Sequence, residues 1–212
     1  MIDEGHRYRG VFGSHVAFLI RRLQRICRRY GSDPLIIISS ATLANPAEFA
    51  SRLCWVPFRL IDHDGAPHGS RRFLLYNPFR DGKTDRSFHR DAASVLTACV
   101  RHRLQTLTFT GSRKMTELVA LWAREAMVRE RIGTPDEISA YRAGYLPEER
   151  RDIENRLKSG SLRAVVSTNA LELGIDIGSL DGVILTGYPG TMIATWQQTG
   201  RAGRCREDSA PF

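Results

Sequence analysis

The residues most suited to chemistry form a short arginine-rich stretch near the end of the sequence, residues 197–204. Arg201 and Arg204 lie three positions apart, and Gly200 and Gly203 leave room for both guanidinium groups to approach a polyanion. An arginine side chain stays charged and can donate two hydrogen bonds to one phosphate group. The stretch therefore predicts a phosphate-binding site, and the alternative is a solvated basic loop.

A second group of candidates lies at the start, where the carboxylates Asp3 and Glu4 are adjacent and His6 follows closely. In a phosphoryl-transfer site, one carboxylate can hold Mg²⁺ through its water shell while the other orients the attacking water. A pair of acidic residues is also common on solvated surfaces. The pair therefore indicates a metal site only when other phosphate-binding groups accompany it.

Short apolar runs alternate with helical patterns in the second half of the sequence and predict the scaffold for these groups. Strands are expected at residues 106–110, 138–141, 162–167 and 182–186. Repeated strand-helix units predict an α/β fold, a parallel sheet with helices on both faces, which binds ligands at the carboxyl ends of its strands. Four polar stretches follow the predicted strands directly, and they begin at Thr110, Arg142, Thr168 and Gly187.

The first part of the sequence predicts an amphipathic helix over residues 15–30 and a strand buried on both faces over residues 35–39. A second helix is expected from Pro46 to about Leu53, with Asn45 as its N-cap. The apolar face of the first helix is predicted to contain Val16, Leu19, Ile20, Leu23, Cys27 and Tyr30. The arginines on its other faces are interpreted as a solvated surface rather than a nucleic-acid contact. They are Arg21, Arg22, Arg25, Arg28 and Arg29.

Residues 57–86 are predicted to link two lobes, because prolines and glycines interrupt two strand-like pieces at residues 58–61 and 72–76. Residues 82–84 (Gly-Lys-Thr) look like the end of a phosphate-binding loop. However, the position five before that glycine is Asn77, and no apolar strand leads into the segment. We interpret it as a turn of the linker.

The composition narrows the partners and the compartment. Among 212 residues, 31 Lys and Arg stand against 23 Asp and Glu, a net charge of +8. This excess favours a polyanion such as nucleic acid or nucleotide, and on charge alone an acidic membrane surface stays possible. The cysteines are far apart without a C-x-x-C pair, and no apolar run approaches the roughly 20 residues of a membrane span. Reduced thiols, no membrane and a cytoplasmic location are therefore expected.

Taken in chain order, the polar clusters resemble the motifs of the superfamily 2 helicases of the DEAD/DEAH-box type: residues 3–6, 40–42, 168–176 and 197–204. Residues 8–16 and 171–178 look more specifically like the bacterial mitomycin-repair helicases, whose fungal relatives belong to the same branch of DNA helicases. The resemblance implies RecA-like parallel sheets with helices on both faces. It assigns residues 1–56 to the C-terminal part of a first lobe, residues 57–86 to an inter-lobe linker and residues 87–212 to most of a second lobe.

On the nucleotide side, the resemblance implies that Asp3 holds Mg²⁺ through water, that Glu4 positions the attacking water and that His6 couples this site to the rest of the motor. Gly5 stands where the family usually has alanine, and we expect this small change to be tolerated. Coupling is also implied for Ser40, Ala41 and Thr42. ATP binding is implied for Gly174, Asp176 and Gln197, with Arg201 and Arg204 as catalytic arginines that reach the terminal phosphate.

Nucleic-acid binding is implied for a separate group of residues in the second lobe: Thr110, Ser112, Arg113, Arg142, Gly144 and Thr168. The implied cofactors are ATP and Mg²⁺, and the implied partner is single-stranded or partly duplex DNA, with RNA left open. The oligomeric state is left open too.

Two parts of the family pattern do not occur in this sequence. No G-x-x-x-x-G-K-[ST] phosphate-binding loop precedes Asp3, and no four-cysteine module follows Arg204. The leading hypothesis is part of an ATP-dependent DNA helicase or translocase that is inactive as this segment alone. The alternatives are a nucleic-acid-binding fragment without catalysis and a fragment that does not fold stably. Hydrolysis of ATP stimulated by DNA would eliminate the first alternative, and a sharp cooperative melt would count against the second.

Overall fold

The computed structural model describes residues 1–41, 43–63, 65, 71–79, 87–171, 180–203 and 210–211. The chain divides into two units, Met1–Gly65 and Ala66–Phe212. Among the described helices, none combines the length and the apolar character needed to cross a lipid bilayer.

The first unit contains a one-turn 3-10 helix, Gly5–Arg7, and two α-helices, α1 at Gly10–Arg29 and α2 at Pro46–Cys54. Helix α1 begins at Gly10, five residues earlier than predicted. Its first helical hydrogen bond is donated by the Gly13 amide to the Arg9 carbonyl. Pro46 occupies the first turn of α2 as predicted. Asn45 occupies the N-cap position, but its side chain does not cap the helix; its Nδ2 donates to Glu48 Oε2 at 3.0 Å.

The apolar face predicted for α1 is only partly correct. Ile20 is buried and Val16 packs beside it against Leu53 of α2. Leu19 and Leu23, however, are 65% and 57% exposed. Tyr30 is exposed as well. The apolar cluster between α1 and α2 includes Val16, Ala17 and Ile20 of α1 but not Leu19, Leu23 or Tyr30.

The strand predicted over residues 35–39 is reduced to a single parallel bridge between Ile2 and Ile38. Leu35 is 85% exposed and Ile37 is 52% exposed, so the prediction of a strand buried on both faces is wrong for this segment. The reason is that pairing within the described residues reaches it from one side only, where Ile2 exchanges backbone hydrogen bonds with Ile37 and Ser39. No strand forms at residues 58–61 or over the predicted piece at 72–76. Residues 82–84 lie outside the described residues.

The second unit is built on a parallel sheet and the helices that cover it. In chain order these elements are α3 (Phe88–Arg101), β1 (Thr106–Phe109), α4 (Arg113–Glu130), β2 (Ile138–Tyr141), α5 (Pro147–Lys158), β3 (Ala164–Ser167), β4 (Gly182–Leu185), α6 (Met192–Thr199) and β5 (Ala210–Pro211). Short 3-10 turns occur at Pro135–Glu137 and Asn169–Leu171. The strand order is β2-β3-β1-β4-β5, and every pair is parallel. The predicted α/β class is therefore confirmed. The two-residue strand β5 was not predicted, because no apolar run of the sequence marks it.

Both faces of the sheet are buried, as the apolar runs predicted. On β3, Val166 belongs to one apolar cluster with residues of α3 and α4, whereas Val165 belongs to another with residues of α5. Successive residues of a strand point to opposite faces, so a strand covered on both sides must be apolar throughout. The register sets Thr106 of β1 opposite Ala164 of β3 and Gly182 of β4. The carboxyl ends of β1 to β4 therefore end at one common edge of the sheet.

Candidate nucleotide and nucleic-acid site

In the first unit, the carboxylate of Asp3 is oriented by two donors. Its Oδ1 accepts a hydrogen bond from the Glu4 amide at 2.8 Å and another from the Ser39 hydroxyl. The Ser39 hydrogen bond, followed by the Glu4 amide, holds the pKa of Asp3 below its usual value. Asp3 is exposed and stays ionised at neutral pH. The sequence did not indicate Ser39 as a site residue. A serine at the end of an apolar run has no feature that predicts its hydrogen bond to Asp3, 36 positions away.

His6 joins the acidic segment to the segment of residues 40–41. The residue His6 is 8% exposed, and its amide donates to Ser40 Oγ at 3.0 Å. Ser40 Oγ also lies 3.3 Å from His6 Nδ1, which in turn lies 3.4 Å from Glu4 Oε2. The predicted coupling residues His6 and Ser40 are therefore in direct contact. Ala41 follows Ser40 in the chain, and Thr42 lies outside the described residues.

The close approach of these two segments depends on Gly5. Its amide donates to the Ser39 carbonyl at 2.9 Å. A Cβ placed on Gly5 would lie 2.7 Å from Cγ2 of Ile38, a branched side chain with little freedom to move. An alanine at position 5 of this chain would therefore require Ile38 to shift, because Ile38 fills the space of the missing methyl group. That glycine is tolerated in place of the family's alanine stays a prediction.

In the second unit, Thr110 follows β1 and faces inward. It is 7% exposed, and its hydroxyl lies 2.7 Å from Thr116 Oγ1 of α4 and within hydrogen-bond reach of the Ser112 carbonyl. Ser112 caps α4 by accepting from the Met115 amide at 3.3 Å, as the sequence predicted. Thr110 thus ties the loop to α4, and Ser112 and Arg113 are the exposed residues of this predicted contact.

Arg142 follows β2 and belongs to a cluster with Glu117 of α4 and Tyr145. Arg142 Nε donates to Glu117 Oε1 at 2.8 Å, and the Tyr145 hydroxyl donates to the same oxygen at 2.9 Å. The guanidinium carbon lies 4.8 Å from the centroid of the Tyr145 ring. Burial acts to raise the pKa of Glu117, but the hydrogen bonds from Arg142 and Tyr145 outweigh it, so the pKa is lowered. Gly144 has φ of +108°, a backbone conformation that favours glycine.

Glu117 and Tyr145 were missed as site residues in the sequence. Glu117 is one of several charged residues on α4, and only the fold shows that it faces the loop after β2. Thr116 was missed for a similar reason, because the helical pattern around Thr116 does not indicate that its hydroxyl will contact the hydroxyl of Thr110.

The remaining predicted residues lie after β3, within or just after α6, or outside the described residues. Thr168 follows β3 and accepts a hydrogen bond from the Ala170 amide at 3.4 Å. Gln197 is half-buried on α6. Arg201 lies in the turn after α6 and is 6% exposed, so it is not on the open surface that its glycine neighbours suggested. Gly174, Asp176 and Arg204 lie outside the described residues.

The sequence of this chain matches known helicases over nearly its whole length. The family described as Helicase conserved C-terminal domain matches residues 91–206, which is more than half of the chain. The chain belongs to this helicase family. An ATP-dependent helicase of Bacillus subtilis, YprA, is 49% identical over 212 residues, covering 99% of this chain and 28% of the relative. The ATP-dependent helicase HRQ1 of Saccharomyces cerevisiae is 40% identical, covering 99% of this chain and 20% of the relative.

Solved structures agree with this membership. A crystal structure of the DUF1998 helicase MrfA bound to DNA and AMPPNP matches this helicase chain with a TM-score of 0.88 and 49% identity. The match covers 99% of this chain and 29% of the MrfA chain. The predicted RecA-like fold and the resemblance to superfamily 2 helicases, including the mitomycin-repair branch, are thus confirmed. The chain spans about a quarter of the length of these relatives.

The Gly5 contact gives a first testable prediction for the helicase chain. We expect Gly5→Ala to lower the free energy of unfolding by about 1–3 kcal/mol, because the added methyl collides with Ile38 and separates two hydrogen-bonded segments. Gly65→Ala is the matched control, since a Cβ at Gly65 has no heavy atom of the described residues within 4 Å and the residue lies in the same unit. Urea unfolding followed by circular dichroism measures both. Equal stability of the two variants would contradict the close approach.

Tyr141, the last residue of β2, gives a pH-dependent prediction. Burial, followed by the hydrogen bond that its hydroxyl donates to Glu154, raises its pKa to about 12. In the unfolded chain the phenol loses its proton near pH 10, so between about pH 10 and 12 the folded state binds more protons. This contribution to stability is full below pH 10 and is lost as the pH rises through 12. Tyrosinate absorbance near 295 nm should show a late-titrating tyrosine that Tyr141→Phe removes; an unchanged titration would refute the assignment.

Proposed function

We propose that this chain is part of an ATP-dependent DNA helicase or translocase, in which hydrolysis of ATP is coupled to movement along the nucleic acid. The observation that carries the proposal is the contact of His6 with Ser40, beside the contact of Asp3 with Ser39. A carboxylate suited to Mg²⁺ is thereby linked by hydrogen bonds to a second segment of the chain. A change in the position of the Asp3 carboxylate would therefore alter the position of Ser39 and of the adjacent Ser40. Coupling of the metal site to the rest of the protein requires such a connection.

The residues at this site fit Mg²⁺ and a nucleoside triphosphate. Both hydrogen bonds to Asp3 fall on Oδ1, so Oδ2 has no donor among the described residues and is available to a hydrated cation. Within the described part of the chain no group of three or more His, Cys, Asp or Glu could enclose a metal ion. Mg²⁺ usually binds through one or two carboxylates together with water and phosphate oxygens, a role that the exposed carboxylate of Asp3 suits. Bound Mg²⁺ and ATP would supply the phosphoryl group and neutralise its charge.

The roles of the protein side chains follow from this arrangement. Asp3 would hold the water shell of the ion, Glu4 would orient the attacking water and His6 would relay the state of the site to Ser40. In the second unit, Gln197, Gly174 and Asp176 would bind the nucleotide. Arg201 and Arg204 would stabilise the charge that develops on the terminal phosphate, as arginine fingers do.

DNA binding is proposed for the common edge of the sheet in the second unit. Ser112, Arg142 and Thr168 follow the ends of β1, β2 and β3, and Arg113 is the first residue of α4. The hydroxyl groups and guanidiniums there are donors to phosphate oxygens. Gly144 would permit close approach, and Thr110 would act by holding its loop to α4, because its own side chain is turned inward. The MrfA helicase bound to DNA has a similar fold, which supports this partner.

The assignment of residues 1–56, 57–86 and 87–212 to first lobe, linker and second lobe is part of the proposal. The division of the chain after residue 65 supports two separately folded bodies. A cytoplasmic location is also proposed. The described cysteines, Cys27, Cys54 and Cys99, are free thiols, which supports a reducing compartment.

A second candidate function is nucleic-acid binding without catalysis by this chain. It is favoured by the net charge of +8, because an excess of Lys and Arg binds a polyanion without any catalytic step. Phosphate release from ATP by the 212-residue chain, with and without single-stranded DNA, separates the two candidates. Hydrolysis stimulated by DNA would eliminate this second one.

Binding of DNA is tested through Arg142. We expect the 212-residue chain to bind single-stranded oligonucleotides of different sequence with similar affinity, weakened by added salt. Arg142→Gln should weaken all of them and lower the slope of log affinity against log salt by about 1, because one phosphate contact is lost. Arg103→Gln is the matched control, since Arg103 lies before β1 at the amino edge of the sheet. Fluorescence anisotropy measures both, and equal loss in the two variants would contradict the proposed edge.

Catalysis is tested through Arg204 in a chimera in which this chain replaces its aligned segment of the Bacillus subtilis relative. Arg204→Ala should reduce the rate of ATP hydrolysis by about 10³-fold, as loss of an arginine finger does, while DNA affinity stays nearly unchanged. Arg103→Ala is again the control and should retain the rate. Equal loss of hydrolysis and DNA binding in Arg204→Ala would move this arginine to the nucleic-acid surface.

A further inference from the structure

Trp55 occupies a backbone position that favours glycine. It ends α2 with φ of 58° and ψ of 34°, the left-handed conformation that usually terminates a helix with glycine because other residues are strained there. Trp55 does not belong to the hydrophobic core, since it is 68% exposed. A large exposed ring held in a strained conformation is characteristic of a functional position rather than of packing.

The ring of Trp55 lies over the guanidinium of Arg21 from α1. The guanidinium carbon is 4.0 Å from the centroid of the Trp55 ring and 5.4 Å from that of Phe18. Within the described residues Arg21 has no carboxylate partner, and its Nε is buried without a hydrogen bond. The sequence assigned Arg21 to a solvated helix face. The fold instead places this cation against two aromatic rings, and among the described residues no counter-ion neutralises its charge.

An open groove of about 590 Å³ lies beside this pair, lined by residues that include Glu48, Ser51, Arg52 and Val56. Glu48 is paired with Arg52 at 2.6 Å, so its negative charge is already offset. The groove therefore offers an aromatic face, an uncompensated guanidinium and a hydroxyl in one place. These groups match a nucleobase with its phosphate, because a base stacks on an aromatic ring and a phosphate binds a guanidinium.

We propose that Trp55 and Arg21 form a stacking site for single-stranded nucleic acid, with one base on the exposed face of Trp55 and an adjacent phosphate at Arg21. A single strand is the occupant that fits, because the base faces of a duplex are hidden by stacking. Further exposed arginines of α1, such as Arg25 and Arg28, extend the positive charge along the same helix. The choice of a nucleic-acid partner rests on the proposed function, whereas the site is separate from the sheet edge that carries Arg142.

The first experiment observes Trp55 directly. The variant with Trp122→Phe and Trp196→Phe leaves Trp55 as the only tryptophan of the three in the sequence. Single-stranded oligothymidylate should quench its fluorescence in parallel with the anisotropy signal of binding. An abasic oligonucleotide of equal length should bind through its phosphates with little quenching. Oligothymidylate binding without quenching, or equal quenching by the abasic strand or by the mononucleotide, would overturn the stacking site.

The second experiment separates binding from folding. Trp55→Gly should weaken the affinity for oligothymidylate by about 5-fold to 20-fold, the effect of losing one stacked base, while the melting temperature is unchanged or higher because strain is relieved. Arg21→Gln should weaken binding of both the thymidylate and the abasic strand. A lower melting temperature with unchanged affinity in Trp55→Gly would show a structural role and overturn the proposal. A chain that binds no single strand in any variant would instead contradict the proposed function itself.

Discussion

The pairing of β1 between β3 and β4 is the constraint on which the second unit depends. Because all three strands run parallel and in register, they end at the same level, and every loop that leaves them emerges at one edge. The apolar residues that hold this sheet between two layers of helices have no chemical role. They determine which polar loops can meet, and that is why residues far apart in the sequence, such as Thr110 and Ser167, are joined by a backbone hydrogen bond of 2.8 Å.

The first unit is organised by a smaller number of contacts, and each is more sensitive to side-chain size. One parallel bridge between Ile2 and Ile38 brings the acidic segment beside the hydroxyl segment. The absence of a side chain on Gly5 permits the approach, and Ile38 fills the space that results. Asp3 and His6 then acquire partners, Ser39 and Ser40, from a single neighbouring segment. Two segments can be coupled through hydrogen bonds only when their backbones lie close together, since these bonds form only within about 3.5 Å.

The arginines of this chain show how the same residue type serves different purposes. Glu117 and Tyr145 keep the guanidinium of Arg142 in a defined position. Because Glu117 already accepts a hydrogen bond from its Nε, fewer donors of this guanidinium are left for another anion. Arg21 is held by aromatic rings, and its charge is not offset by a carboxylate among the described residues. Arg201 is buried in the turn after α6. A net charge of +8 favours a polyanionic partner, but only the surroundings of each arginine show which ones are oriented for it.

The sequence by itself determined the α/β class, the strands β1 to β4 within two residues at each end, the N-cap Ser112 and the polar stretches after the strands. These features are local, because apolar periodicity and capping depend on residues close in the chain. Tertiary structure alone decided that Thr110 turns inward, that Glu117 meets Arg142, that Leu19 and Leu23 lie outside the packed stripe of α1 and that Ser39 binds Asp3. Each of these depends on which element packs against which, and a hydrogen bond or an apolar contact across the fold leaves no periodic trace in the sequence.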